Sequence, residues 1–258
     1  MHENLIPRLK GSFNKFKIKS HTLPNAIGMW PNEQECFLWM LLNSNLEHNW
    51  MEIGSFCGGS AVLMCLARRI TNNKPNSVYS VDCNFNNYKA ISGTQSYAGH
   101  DAMAMFDYNV YGQGQFSDLC VKVECYSDDI AENYNGEKIS FLFIDGFHSF
   151  KQVINDFRTV LPYMSDDAIV AFHDVSPEIK QTAQEDIEYD EYFASNGEDF
   201  FLDEAINYIL KEHPEFSLLE IPVKRDIKHS RETGLNSWVR GRTSPFNAVA
   251  AIRRNNEG

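Results

Sequence analysis

Six cysteines stand at positions 36, 57, 65, 83, 120 and 125, and no two of them form a C-x-x-C pair. A zinc site therefore has little support. Several of these cysteines lie inside apolar stretches, so they read as reduced core thiols of a cytoplasmic protein. No apolar run approaches the roughly 20 residues that a membrane span needs. The opening residues Met1-His2-Glu3-Asn4 show no apolar core of a signal peptide. Cations are also in short supply, with 23 Lys and Arg against 35 Asp and Glu, for a net charge of −12. A general nucleic-acid binder neutralises phosphates with clustered Lys and Arg, so this balance argues against that class. No internal repeat or low-complexity tract is present.

What the chain does have is an ordinary globular composition, 43% hydrophobic and 22% charged over 258 residues. That is enough for one large α/β domain. Residues 1–31, with Pro7, Gly11, Pro24, Gly28 and Pro31, show no sustained period and read as an N-terminal arm or lid. Residues 32–258 read as a single domain. A helix is expected from Asn32, with Glu35 in a capping-box position and a buried stripe of Phe37, Leu38, Leu41 and Leu42. Strands are expected near 50–54, 77–82, 119–125, 139–145, 168–172, 216–221 and 247–252. Helices are expected near 60–70, 102–110, 150–161 and 202–210. The alternation of strands and helices predicts a Rossmann-like, doubly wound, mostly parallel sheet with helices on both faces and an antiparallel last strand. Lys122 and Glu124 alternate with apolar neighbours, which suits an edge strand. The acidic run at 185–204 and the basic run at 224–242 read as solvated segments.

The most informative stretch is Trp50-Met-Glu-Ile-Gly-Ser-Phe-Cys-Gly-Gly-Ser60. An apolar strand carries a glutamate near its end, a glycine-rich turn follows, and Ser60 opens an apolar helix. The spacing E-x-G-x-x-x-G-x-S lacks the dinucleotide pattern G-x-G-x-x-G. A pyrophosphate wants glycines and a bare helix N-terminus. A buried glutamate beside the turn wants a donor or a cation instead. Further carboxylates, Asp82, Asp145 and Asp174, also fall where strands end. In a parallel sheet those ends share one edge, where ligands bind. Each could alternatively be a helix N-cap.

Glu52 to Ser60 resembles motif I of class I S-adenosylmethionine (SAM)-dependent methyltransferases, especially the catechol O-methyltransferase-like and sugar or antibiotic O-methyltransferase groups. The resemblance spans residues 32–175. It implies SAM as cofactor, held by Glu52, Gly54, Ser55, Phe56, Gly58, Ser60, Asp82, Cys83, Ser127, Asp128 and Asp145. Asp82 ends a strand where an acidic side chain accepts hydrogen bonds from ribose hydroxyls, and the resemblance assigns adenine contacts to Ser127-Asp128. His148 stands three residues after Asp145, where the catechol-type enzymes carry a lysine base, and an imidazole near neutral pKa suits a general base. The relatives bind Mg²⁺ with the corresponding strand-end aspartate and a later pair of oxygen ligands. Here the metal ligands would be Asp145, His173 and Asp174. The imidazole shifts preference from Mg²⁺ toward another divalent metal. Alternatively no metal binds and Asp145 meets the SAM ammonium.

The resulting expectation is methyl transfer from SAM to a hydroxyl of a small molecule, a sugar or secondary metabolite, with divalent-metal assistance left open. The expected partners are that hydroxylated acceptor and, optionally, further copies of the chain, with neither nucleic acid nor membrane. Two alternatives stand beside this reading. One is a metal-dependent oxygenase on the same fold, which O₂ consumption would distinguish from methyl transfer. The other is a non-catalytic binding protein that retains the fold.

Overall fold

The computed structural model describes residues 4–16, 29, 31–83, 102–147, 149–173, 202–221 and 249–255. Seven strands are described: β1 (Asn49–Ile53), β2 (Val78–Val81), β3 (Cys120–Val123), β4 (Ile139–Ile144), β5 (Met164–His173), β6 (Phe216–Leu218) and β7 (Val249–Arg254). They form one sheet in the order β3-β2-β1-β4-β5-β7-β6. The five strands from β3 to β5 run parallel, and β7 pairs antiparallel with both β5 and β6. The chain leaves β1 toward β2 and later crosses back to β4 on the other side. The strand order therefore reverses between β1 and β4, which is where an open α/β sheet leaves a crevice.

Strand β4 shows why this sequence makes a two-sided sheet. All six of its residues are buried. Successive side chains of a strand point to opposite faces, so Phe141 and Phe143 enter one core while Leu142 and Ile144 enter the other. The first core is closed by helices α1 (Leu5–Phe13), α2 (Pro31–Asn43) and α3 (Gly59–Thr71), through Leu9, Phe37, Leu41 and Leu63. Three further helices follow in chain order: α4 (Ala102–Phe106), α5 (Ile130–Asn133) and α6 (Phe150–Val160). The second core is closed by α6 and by α7 (Leu202–Glu212), through Val153, Phe157, Ile206 and Ile209. Among the described residues no helix is long and apolar enough to cross a membrane.

Three local expectations differ from what is observed. Residues 5–13 form a helix rather than an irregular arm, and Leu9 and Phe13 bury its inner face. Pro7 is compatible with that helix because it lies in the first turn, whose N–H groups have no intrahelical partner. The helix expected over 102–110 is instead a short α-helix followed by a π-helical stretch, Asp107–Gln113. Its wider turn lets the buried Asn109 donate to the Cys57 carbonyl at 2.8 Å. Finally, β5 begins at Met164, four residues before the apolar run that marks it in the sequence. Met164 pairs with Ile139 across the sheet, and the register then shifts before Phe141 meets Ile169.

Candidate active site

The turn after β1 is shaped by its neighbours on both sides. Gly54 has φ of +90° and donates its N–H to the Val81 carbonyl at 2.9 Å. On the other side Asp145 donates its N–H to the Ile53 carbonyl at 2.8 Å. A Cβ on Gly54 would lie 2.2 Å from the Asp145 carbonyl oxygen, so only glycine fits between β2 and β4. Phe56 also has positive φ, +43°, a conformation that side chains avoid unless something enforces it. Asp82 supplies that enforcement. Its Oδ2 accepts the N–H of Ser55 at 3.0 Å and of Phe56 at 2.8 Å. The aspartate that ends β2 thus ties the turn to the neighbouring strand.

Beyond these strand ends lies a cavity of about 420 Å³, within the usual size of a small-molecule site. Gly54, Asp82, Cys83, Ser127, Asp128 and Asp145 line it, together with Tyr126, Phe147, Gln152 and Asp156. Burial and the neighbouring Asp82 push the Cys83 thiol pKa up, which keeps it a neutral wall group. Ser55, Phe56, Gly58 and Ser60 belong to the turn and the start of α3 and do not line the cavity.

Glu52 is also absent from the wall. Its side chain is fully buried and accepts a hydrogen bond from the Ser80 hydroxyl at 2.7 Å. Burial pushes its pKa up from 4.5 to about 7, against the lowering effect of the Ser60, Ser80 and Ser55 hydroxyls, and nearby Asp145 raises it further. The unfolded chain therefore loses this proton at lower pH than the folded protein does. Stability contributed by the neutral carboxyl is fully present below pH 4.5 and is lost as pH rises through about 7. The ionised form costs the fold on the order of 3 kcal/mol. Replacing Glu52 with Gln should flatten this dependence. Between about pH 5 and about pH 8 the wild-type melting temperature should fall relative to that of Glu52→Gln. Parallel melting curves for the two proteins over that range would show that Glu52 does not titrate there.

At the β4 and β5 ends, His173 Nδ1 stands 2.9 Å from Asp145 Oδ1, and Nε2 stands 3.6 Å from Glu33 Oε2. Both His173 and Glu33 are buried. Glu33 enters from the first turn of α2, so an element remote in sequence completes the surroundings of the imidazole. Among the described residues no group of three His, Cys, Asp or Glu is arranged to hold a metal ion. His148 and Asp174, expected as base and metal ligand, lie outside the described residues, as do the acidic residues from 185 to 201 and the whole basic run.

The family described as "Methyltransferase domain" matches residues 51–175, from β1 to just past β5. Residues 51–175 are a methyltransferase domain. The match takes in the glycine turn, the Asp82 anchor and the whole cavity wall. Solved structures with the same fold include the O-methyltransferase from Bacillus cereus in complex with S-adenosylhomocysteine (SAH). It is 12% identical with a TM-score of 0.56, over 98% of this chain and 91% of that one. The O-methyltransferase TomG from Streptomyces achromogenes, in complex with SAM, is 10% identical with a TM-score of 0.54, over 98% and 88%. A methyltransferase of Podospora anserina, SAH-bound, is 16% identical with a TM-score of 0.52, over 99% and 97%. No curated protein matches the chain in sequence. At such identities the likeness is one of fold.

Asp156, Tyr126 and Phe147 at this site carry a readable sequence signal, and Glu33 carries none. Asp156 lies among the apolar positions of α6 and is 1% exposed, so a carboxylate sits on a buried face with Gln152 one turn before it. Glu33 follows Asn32 in what reads as an ordinary helix start, and nothing local marks it as the partner of a histidine on β5. Tyr126 and Phe147 are 62% and 51% exposed at the cavity. Large aromatics three residues past the ends of β3 and β4 are a readable mark of a ligand rim.

Proposed function

We propose that this protein transfers the methyl group of SAM to a hydroxyl of a small molecule. The observation that carries the reading is the cavity beyond β1, β2 and β4, with Asp82 on its wall and Gly54 leaving room where any side chain would collide. The wall suits a nucleoside. In this reading Asp82 accepts the ribose hydroxyls, and its hold on the Ser55 and Phe56 N–H groups keeps the turn shaped before the ligand arrives. Preorganisation of that kind reduces what binding must spend on ordering. The solved relatives bound to SAM or SAH share the fold and support the choice of nucleoside. The hydroxylated acceptor, a sugar or secondary metabolite, is suggested by the resemblance of Glu52 to Ser60 and by TomG, an O-methyltransferase involved in tomaymycin synthesis.

Methyl transfer needs the acceptor oxygen aligned with the sulfonium methyl and stripped of its proton. Proximity and alignment supply much of the rate in such reactions. His148 is the base in this reading, placed in sequence between the cavity residue Phe147 and the N-cap Ser149 of α6. Asp145, held between His173 and the turn, faces the reacting end of the cavity. A divalent ion, if used, would be held by Asp145, His173 and Asp174, and bound there it would lower the pKa of the acceptor hydroxyl. The 2.9 Å spacing of Asp145 and His173 suits either a direct hydrogen bond or two adjacent ligands. The protein is read as cytoplasmic, in line with its reduced thiols.

Calorimetry with SAH tests the nucleoside reading directly. Wild type should bind, and Asp82→Ala should bind roughly 10- to 100-fold more weakly, because a hydrogen bond to a charged group and the anchor of the turn go together. Equal SAH affinity in the two proteins would remove Asp82 from the cofactor site.

A further inference from the structure

Ser149 caps α6, accepting the Gln152 N–H at 3.1 Å. The sequence Ser149-Phe-Lys-Gln152 is a capping box, in which the glutamine side chain ordinarily returns to the N-cap N–H. Gln152 does not do this. Its Nε2 donates instead to the Asp156 carboxylate at 2.8 Å and to the Ser127 hydroxyl at 3.0 Å. A carboxylate can only accept, so the contact with Asp156 fixes which end of the amide is nitrogen. Asp156 is buried and forms part of the cavity wall, as do Ser127 and Gln152. Both N–H bonds of the amide are thereby used on the wall. Its oxygen Oε1 accepts no hydrogen bond from the described residues, and Gln152 lines the cavity.

We infer that Gln152 Oε1 accepts a hydrogen bond from the exocyclic amine of the bound adenine, making Gln152 the residue that selects a 6-aminopurine. This rests on reading the cavity as the site of an adenine nucleoside. The resemblance points to Ser127-Asp128 for adenine. Asp128 Oδ1 accepts from the Asn155 amide on the exposed side of α6. Ser127 Oγ accepts from Gln152, which leaves the Ser127 O–H to donate to a ring nitrogen rather than to meet the amine. The nucleoside fits with its ribose at Asp82 and its base toward Tyr126, Ser127 and Gln152. An amide locked by Asp156 cannot rotate to offer its N–H₂ to a 6-oxopurine. A fixed acceptor therefore meets a donor in adenine, and it meets nothing in a purine bearing hydrogen at C6.

The test compares SAH with its analogue whose purine carries hydrogen in place of the 6-amino group. The ring N1 is unchanged in this analogue, so only the amine contact differs. Calorimetry on wild type should show SAH binding about tenfold tighter than the analogue, the scale of one hydrogen bond in a fixed site. In Gln152→Met, which keeps length and removes the acceptor, the two ligands should bind alike. A merely structural role for Gln152 would weaken both ligands together and leave their ratio as in wild type. That outcome, or a wild type that does not discriminate, overturns the inference while the cofactor reading stands. Failure of wild type to bind SAH at all overturns the cofactor reading, and the inference falls with it. The wild-type ratio needs no variant, and thermal melting of Gln152→Met confirms that the fold is retained.

Discussion

Gly54→Ala is expected to destabilise the protein by about 4 kcal/mol and to abolish SAH binding in whatever fraction remains folded. Two independent costs add at this position. An alanine at φ of +90° sits in a region that L-residues avoid by roughly 1–2 kcal/mol. Its Cβ would also lie 2.2 Å from the Asp145 carbonyl oxygen and 2.6 Å from the Gly146 nitrogen, and these are backbone atoms that cannot rotate away. Relief requires the β1 and β4 ends to separate. The hydrogen bond from Asp145 N–H to Ile53 holds them together, and the same separation would open the cavity wall at Asp145. A melting temperature lower by roughly 10 °C is the expected readout for a domain of this size. Gly58→Ala makes a useful comparison, since its Cβ would meet the Phe106 ring and Val110 Cγ2 at 2.8 Å. Those are side-chain atoms that can shift, so the loss should be smaller. Equal melting temperatures for Gly54→Ala and wild type would mean that the turn is not clamped between β2 and β4.

The same turn shows what a sequence can disclose and what it cannot. The parallel sheet was legible because β4 is apolar at nearly every position and because helical stripes alternate with strands. The strand-end carboxylates were legible because topology alone brings strand ends to one edge. Side-chain direction was not legible. Glu52 and Asp82 both stand at or near the ends of adjacent strands, yet Glu52 points into the buried layer toward Ser80 while Asp82 reaches the turn and the cavity. Ser80 is the register partner of Glu52, and Asp82 stands two residues beyond it, so strand alternation alone would give both carboxylates the same face. What separates them is that Glu52 lies within β1 while Asp82 lies past the end of β2, and no spacing rule shows that. Glu33 was hidden for a different reason. Its role comes from packing α2 against the end of β5, a contact between elements about 130 positions apart. Gln152 was hidden by a local pattern that it does not obey, since a capping box directs its side chain elsewhere.

His148→Ala is expected to slow the chemical step by about 10²–10⁴ while SAH binds as in wild type. The reading rests on a general base being needed to take the acceptor proton, and on the three-residue offset from Asp145, whose side chain lines the cavity. The pH–rate profile should lose a rising limb near the imidazole pKa of about 6.5, because the neutral ring is the active form. His173 must be replaced in parallel. It is 5% exposed, with Asp145 on one ring nitrogen and Glu33 toward the other, so the reading gives it the task of positioning Asp145, with the proton taken by His148. His173→Ala should therefore lower activity and leave the rising limb where it was. EDTA separates base catalysis from metal assistance. If a divalent ion alone lowers the acceptor's pKa, chelation abolishes turnover, His148→Ala loses little rate, and its pH profile is unchanged. Full activity in EDTA together with a lost rising limb in His148→Ala would assign proton removal to His148 and leave Asp145 as a cofactor contact.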